Sequence, residues 1–133
     1  MHTIEINKGH YLRHEAENFA LSVYKSSYGA TIKNFPTTLI VHFDKSGKFH
    51  AVAGFRDSSD GYFSEYYLDE AIEAVIGAVM RKRVSRDKIV EVSCLASRAP
   101  AISIKFMREL VRYGTELGFE WAFFTATARL EKL

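Results

Sequence analysis

The chain carries a single cysteine, Cys94, so it can form no intramolecular disulfide and holds no Cys-x-x-Cys metal or redox motif. No apolar run approaches the roughly 18 residues that a membrane-spanning helix needs. The opening stretch MHTIEINKGHYLRHEAEN lacks the apolar core of a secretory signal. Together these absences place the chain in the cytoplasm by default. Neither sign of charge dominates: the formal net charge is +2, which gives no argument for a nucleic-acid partner. There is no internal repeat, low-complexity tract or Pro/Gly/Ser-rich linker, so the 133 residues are expected to form one domain. His42 and His50 stand on the two arms of an expected hairpin, but no third ligand follows at a recognisable spacing, and no metal site is expected. A hydrolase of the Ser/His/Asp type has no Gly-x-Ser-x-Gly elbow to start from.

What is present is an ordinary globular balance, 47% hydrophobic and 26% charged, with enough length to bury a core. Residues 14–28, HEAENFALSVYKSSY, place Ala16, Phe19, Ala20, Val23 and Tyr24 at helical spacing, and Gly29 stops the run. TTLIVHF (37–43) and KFHAVAGF (48–55), joined by the turn DKSG, read as an antiparallel hairpin. A helix is expected over 69–81, with Leu68, Ile72, Val75, Ile76 and Val79 along one face. IVEVSCLA (89–96) is an interior strand and residues 102–117 are a helix that buries Phe106, Met107, Leu110, Gly114 and Leu117. EWAFFTA (120–126) is another interior strand. Strand, helix and strand from 89 to 126 form a βαβ unit with parallel strands. The fold class is therefore α/β: a mixed sheet with an antiparallel hairpin and a βαβ unit, flanked by helices.

Three stretches stand out for chemistry. Glu91 lies inside an apolar strand and, under strict alternation, shares a face with Ile89, Ser93 and Leu95. A carboxylate there must pair with an arginine such as Arg56 or Arg98, shift its pKa, or face a cleft as a general base. Cys94, on the opposite face, reads as a small buried hydrophobe. MRKRVSRDK (80–88) concentrates Arg81, Lys82, Arg83, Arg86 and Lys88, either as a solvated helix end or as a docking patch for an acidic carrier protein. In YFSEYYLDE (62–70), Asp69 and Glu70 suit the first turn of a helix. Glu65 and Tyr67 precede that turn and are not explained by it.

Several blocks in order, YKSSYGA (24–30), AVAGFR (51–56), FSEYYLD (63–69), IVEVSCLA and FTAT (124–127), resemble the thermostable haemolysin family. The match within 63–69 rests on Phe63, Glu65, Tyr67, Leu68 and Asp69. Ser93 and Cys94 stand where the family usually has Gly and Asn. The resemblance also implies that the family's last helix and strands, which follow FTAT in relatives, are missing here. The family in turn resembles the N-acyltransferase (GNAT) fold of acetyl-coenzyme A transferases and acyl-homoserine-lactone synthases. In that fold the two strands matching 89–96 and 120–126 splay apart and admit the arm of an acyl thioester.

The resemblance implies acyl transfer from an acyl thioester, acyl-CoA or acyl-carrier protein, to an amine acceptor. Such chemistry needs a base, a proton donor for the departing thiolate and an anchor for the donor's phosphates. Glu91 and Glu65 are the carboxylate candidates and Tyr67 the proton-donor candidate. RAPAIS (98–103) lies between strand and helix, where Arg98, Ala101 and Ser103 stand as a degraded Arg-x-x-Gly-x-Gly anchor or as a plain connecting loop. Thr125 and Thr127, at the exit of the last strand, could bond a ligand, or Thr127 could cap a following helix. A non-enzymatic membrane-active protein and a small binding module are the alternatives.

Overall fold

The computed structural model describes residues 2–124, and Thr125 and Thr127 lie outside them. Among the described residues five strands form one sheet in chain order: β1 (His2–Ile6), β2 (Thr38–Phe43), β3 (Phe49–Arg56), β4 (Ile89–Ser97) and β5 (Trp121–Phe124). The first three pairings are antiparallel and β4–β5 is parallel, so both the hairpin and the βαβ unit are present. β1 has no counterpart in the sequence reading. It is a five-residue edge strand that borrows its order from β2, which it pairs from His2↔Phe43 to Ile6↔Leu39.

Helix α1 (Arg13–Tyr28) covers one face of the sheet and α3 (Pro100–Glu116) the other. Ala16, Ala20 and Val23 recur on one side of α1 and pack on Ile6, Leu39, Val41 and Val52. Phe106 and Leu110 of α3 pack on Ile40, Ala51, Ala53, Phe55, Val90 and Val92. The alternation of β2 and β3 thus sorts odd and even residues onto the two helices. Gly29 ends α1 in the left-handed region (φ 61°), its N–H bonded to Lys25 O, as the sequence suggested. Buried Arg13 ties α1 to the stretch leading into β2, its guanidinium donating to Pro36 O at 2.7 Å, Thr37 O at 2.7 Å and Ile6 O at 3.3 Å.

Two expectations fail locally. Helix α2 spans Ile72–Met80, starting later than expected, and Asp69 and Glu70 precede it. The reason is its cap: Glu65 Oε2 accepts the Ile72 N–H at 2.8 Å, so the helix starts where a carboxylate seven residues upstream can reach it. Leu68 and Val79 are consequently exposed rather than part of a buried stripe, as is Leu117 at the end of α3. The second failure is in β4. Cys94 has φ 53°, and the ladder with β3 steps from Val52↔Ala96 to Gly54↔Ser93, placing one extra residue in β4. This bulge breaks the alternation: Leu95 joins the α3 side with Val90 and Val92, and Cys94 turns to the same hollow as Ser93. Among the described residues no helix is long and apolar enough to cross a membrane.

Candidate functional site

A cleft of about 1020 Å³ opens over the β3–β4 bulge, on the α1 side of the sheet. Tyr24 of α1 forms one wall, and residues 31–34, which pass from α1 toward β2, form the rim with Lys33. Its floor is Arg56 from the end of β3 with Ser93 and Cys94 from β4. The opposite wall is Asp60, Tyr62, Phe63, Glu65 and Tyr66. Pro36, which follows that rim, can lie so close to the sheet because Gly54 has no side chain. A Cβ there would fall 2.4 Å from Pro36 Cγ and 3.0 Å from Ser93 Oγ.

The opposite wall is held from beneath by Glu91. This residue is 0% exposed, and its carboxylate accepts Phe63 N–H at 2.7 Å, Ser64 N–H at 3.0 Å and Ser64 Oγ–H at 2.6 Å. The segment it grips, Phe63–Tyr67, is a 3-10 turn (η1) ahead of α2. Glu91 therefore sits behind the wall rather than on the cleft surface. Arg56 is its neighbour across the ladder, and Arg98 is elsewhere, so the carboxylate is oriented by the η1 donors.

Glu65 does reach the cleft, but it is fully engaged. Arg86 grips it with two bonds, 2.7 and 2.8 Å, and also bonds Glu73 at 2.9 Å. The hydrogen bonds from Arg86 hold the Glu65 carboxyl below its usual range. Arg86 also stacks over the Tyr62 ring at 4.7 Å, and the Tyr62 hydroxyl lies within hydrogen-bond distance of Ile89 O (2.7 Å) and Arg86 O (2.8 Å). Burial pushes the Tyr62 phenol up to about 12. Tyr67, the expected proton donor, is 78% exposed and outside the cleft, its ring against Phe63. Tyr24 is the tyrosine set beside the floor; burial raises its phenol well above the ordinary value, and likewise the Cys94 thiol.

The expected anchor turn lies away from the cleft wall. Arg98 donates to Ser22 Oγ at 3.1 Å and stacks over Phe19, Ala101 is exposed, and the Ser103 hydroxyl donates to Ala99 O at 3.2 Å. Helix α3 nonetheless begins without a side-chain cap, its first N–H groups open. In the basic stretch, Arg86 is committed to the two glutamates and Lys82 lies over the Trp121 ring at 4.9 Å. Arg81 ends α2 in the left-handed region, while Arg83 and Lys88 are exposed. Sequence reasoning missed Tyr24, Lys33 and Ser93 as cleft residues and saw Arg56 only as a partner for Glu91. The family-like blocks at 24–30 and 51–56 were the available signal for Tyr24 and Arg56.

In fold, the chain is similar to TofI in a ternary complex with an inhibitor and MTA, with a TM-score of 0.60 at 14% identity over 99% of this chain and 76% of that one. It is also similar to a mutant BH1408 protein from Bacillus halodurans, with a TM-score of 0.53 at 13% identity over 99% and 86% of the two chains. Identities this low speak to fold alone. No curated protein matches the chain in sequence. The sequence profile of a family described as thermostable hemolysin matches residues 6–133.

Proposed function

The chain belongs to the thermostable hemolysin family and has an acyltransferase-like fold, and from these we propose that it transfers an acyl group from an acyl thioester to an amine. The observation that carries the reading is the cleft over the β4 bulge. There an interior strand leaves its ladder at Cys94 and turns Ser93 and Cys94 toward open space between a tyrosine and a set of charged groups. In the reaction the amine nitrogen attacks the thioester carbonyl, a C–N bond forms and the C–S bond breaks. The ammonium loses a proton to a carboxylate, and the departing thiolate takes one, leaving an amide and a free thiol.

On this reading Tyr24 is the proton donor, since its phenol is protonated at neutral pH and its ring forms the cleft wall beside Ser93 and Cys94. Asp60 is the carboxylate on the cleft wall that can take the amine's proton, directly or through water, since Glu65 is held by Arg86 and the Ile72 N–H. Glu91 sets the wall on which Glu65 stands. The open start of α3, with Arg98, Ala101 and Ser103, is the anchor for the donor's phosphates, whether the donor is acyl-CoA or an acyl-carrier protein. Arg81, Arg83 and Lys88 are the exposed cations that a carrier protein would meet. Incubation with acetyl-CoA, longer acyl-CoAs and acylated carrier protein, with a mixture of amines, should release thiol. Tyr24→Phe should slow that release while leaving donor binding intact. No thiol release from any donor, with no donor binding by calorimetry, would sink the reading.

One observation favours a second reading, contact with a membrane surface. Phe63, Tyr66, Tyr67 and Leu68 form an exposed apolar band beside the cleft. If that band acts on lipid, liposome leakage should occur without any acyl donor and should fall in a Tyr66→Ser/Tyr67→Ser variant.

A further inference from the structure

The floor of the cleft holds two buried polar atoms, Arg56 Nε and Ser93 Oγ, that make no well-formed hydrogen bond among the described residues, the Ser93 hydroxyl lying beside the Cys94 thiol. Arg56 is half-buried, its Nε is shut off from solvent without a partner, and among the described residues its guanidinium makes no ion pair. Ser93 is only 9% exposed, and its Oγ is likewise without a partner. The two are close by construction: Ser93 stands opposite Gly54 in the ladder and Arg56 follows two residues later on the same face. Both line the cleft. Buried donors left unsatisfied are rare in folded proteins, and two at one spot call for a missing acceptor.

The chemistry of that acceptor follows from its neighbours. A guanidinium only donates, so the ligand atom must be an oxygen with lone pairs, best met by a planar carboxylate that fits the fork. Across the same cleft stand Asp60 and Glu65, which disfavour a multiply charged anion but attract a cation. Glu65 is largely neutralised by Arg86, whereas Asp60 accepts from the Thr37 hydroxyl and the Asp57 N–H and has no cationic partner among the described residues. The Glu91 carboxylate accepts from Phe63 and Ser64, and among the described residues no ion pair joins it to Arg56, its partner across the ladder. One cleft therefore presents a donor pair on its floor and a carboxylate on its wall.

We propose that Arg56 and Ser93 bind the carboxylate of an amino-acid acceptor, whose amine then lies toward Asp60. This rests on the acyl-transfer reading for its use of the amine, but the binding site can be tested without it. The probe is the Nε–H signal of Arg56 in protein labelled with 15N-arginine, identified by its loss in Arg56→Lys. Acetate and a panel of L-amino acids should shift that signal saturably, and ethylamine should not. Ser93→Ala should weaken amino-acid binding about tenfold, as for one lost bond to a charged group. A shift produced only by inorganic phosphate or coenzyme A would overturn the proposal and make the pair a donor anchor. No shift with any carboxylate would overturn it too. Thiol release separates the two ideas. Release that is equally fast with L-alanine and ethylamine refutes the acceptor assignment and spares acyl transfer. Carboxylate binding with no thiol release from any donor upholds the site and refutes acyl transfer.

Discussion

Replacing Glu91 separates a group that holds the cleft wall from one that takes part in proton transfer. Its carboxylate serves Phe63 N–H, Ser64 N–H and Ser64 Oγ–H at 2.6–3.0 Å from a fully buried position. Removing the acceptor costs about 1–3 kcal/mol for each donor left dry, but η1 is partly exposed and water can serve some of them, so Glu91→Ala should lose about 2–4 kcal/mol. Glu91→Gln keeps one oxygen for Phe63 N–H and offers an NH2 group that the Ser64 hydroxyl can accept. Only the Ser64 N–H then faces another donor, and the loss should be about 1.5 kcal/mol. At an unfolding slope of about 1.5 kcal/mol per molar urea, that moves the midpoint by about 1 M. Hydrogen exchange at Phe63 and Ser64 should quicken in both variants more than at Ile40 or Val41. The refuting result is Glu91→Gln with a wild-type midpoint, protected amides and lost thiol release, which would put Glu91 in the chemistry.

Other consequences can be checked with the same instruments. Glu65 has a folded pKa below its ordinary 4.5, so the stability it contributes is present above that value and is lost as pH falls through the folded pKa. Wild type should exceed Glu65→Gln by about 1 kcal/mol at pH 6, the pair with Arg86 being partly solvated, and the gap should close by pH 3 in urea titrations. Gly54→Ala places a methyl 2.4 Å from Pro36 Cγ, and thermal unfolding should show a loss of about 1–3 kcal/mol with a reshaped rim. Arg13→Lys loses the fork that spans Pro36 O and Thr37 O, and should cost about 2–4 kcal/mol, with faster exchange at the start of β2.

Much of the scaffold was legible because it repeats. The 3.6-residue stripe of α1, the turn DKSG between two β-branched runs and the order strand–helix–strand after Ile89 each involve many residues that agree. β1 escaped notice because five residues at an edge carry too little pattern, and their order depends on β2. The site was less legible for a different reason. The left-handed Cys94 is not a glycine or asparagine, so nothing in the letters marks the bulge that turns it into the cleft. Glu65 was set apart from the helix signals after it, yet it caps that helix through the Ile72 N–H, and neither this contact nor the one with Arg86 is supplied by a spacing rule. Glu91 is marked in the sequence by burial of a charge, which the structure bears out, while its hydrogen-bond donors include the N–H groups of Phe63 and Ser64, 28 and 27 positions upstream, rather than Arg56 or Arg98. Tyr67 illustrates the opposite failure: a motif residue that the 3-10 turn points outward.

The unfavourable features of this fold are not scattered. A non-glycine residue at φ 53°, two buried polar atoms without partners, a carboxylate with no access to solvent and a backbone crossing that tolerates no Cβ all meet within a few residues of Gly54 and Ser93. Each destabilises the folded state by an amount of order 1–3 kcal/mol unless something offsets it. Glu91 is offset by η1 and Gly54 by Pro36 packing against it, so those two are explained by the architecture. Cys94, Arg56 and Ser93 are not: a regular β4 with an apolar residue at 93 would close the ladder and remove the costs at Cys94 and Ser93, and an apolar residue at 56 would remove the third. A selection for stability alone has no reason to keep them together. A ligand that satisfies Arg56 and Ser93, and that needs the space the bulge opens, does supply one. Binding it should stabilise the protein by RT ln(1 + [L]/Kd), so the same thermal scan that finds the ligand also measures how much of the cost it offsets.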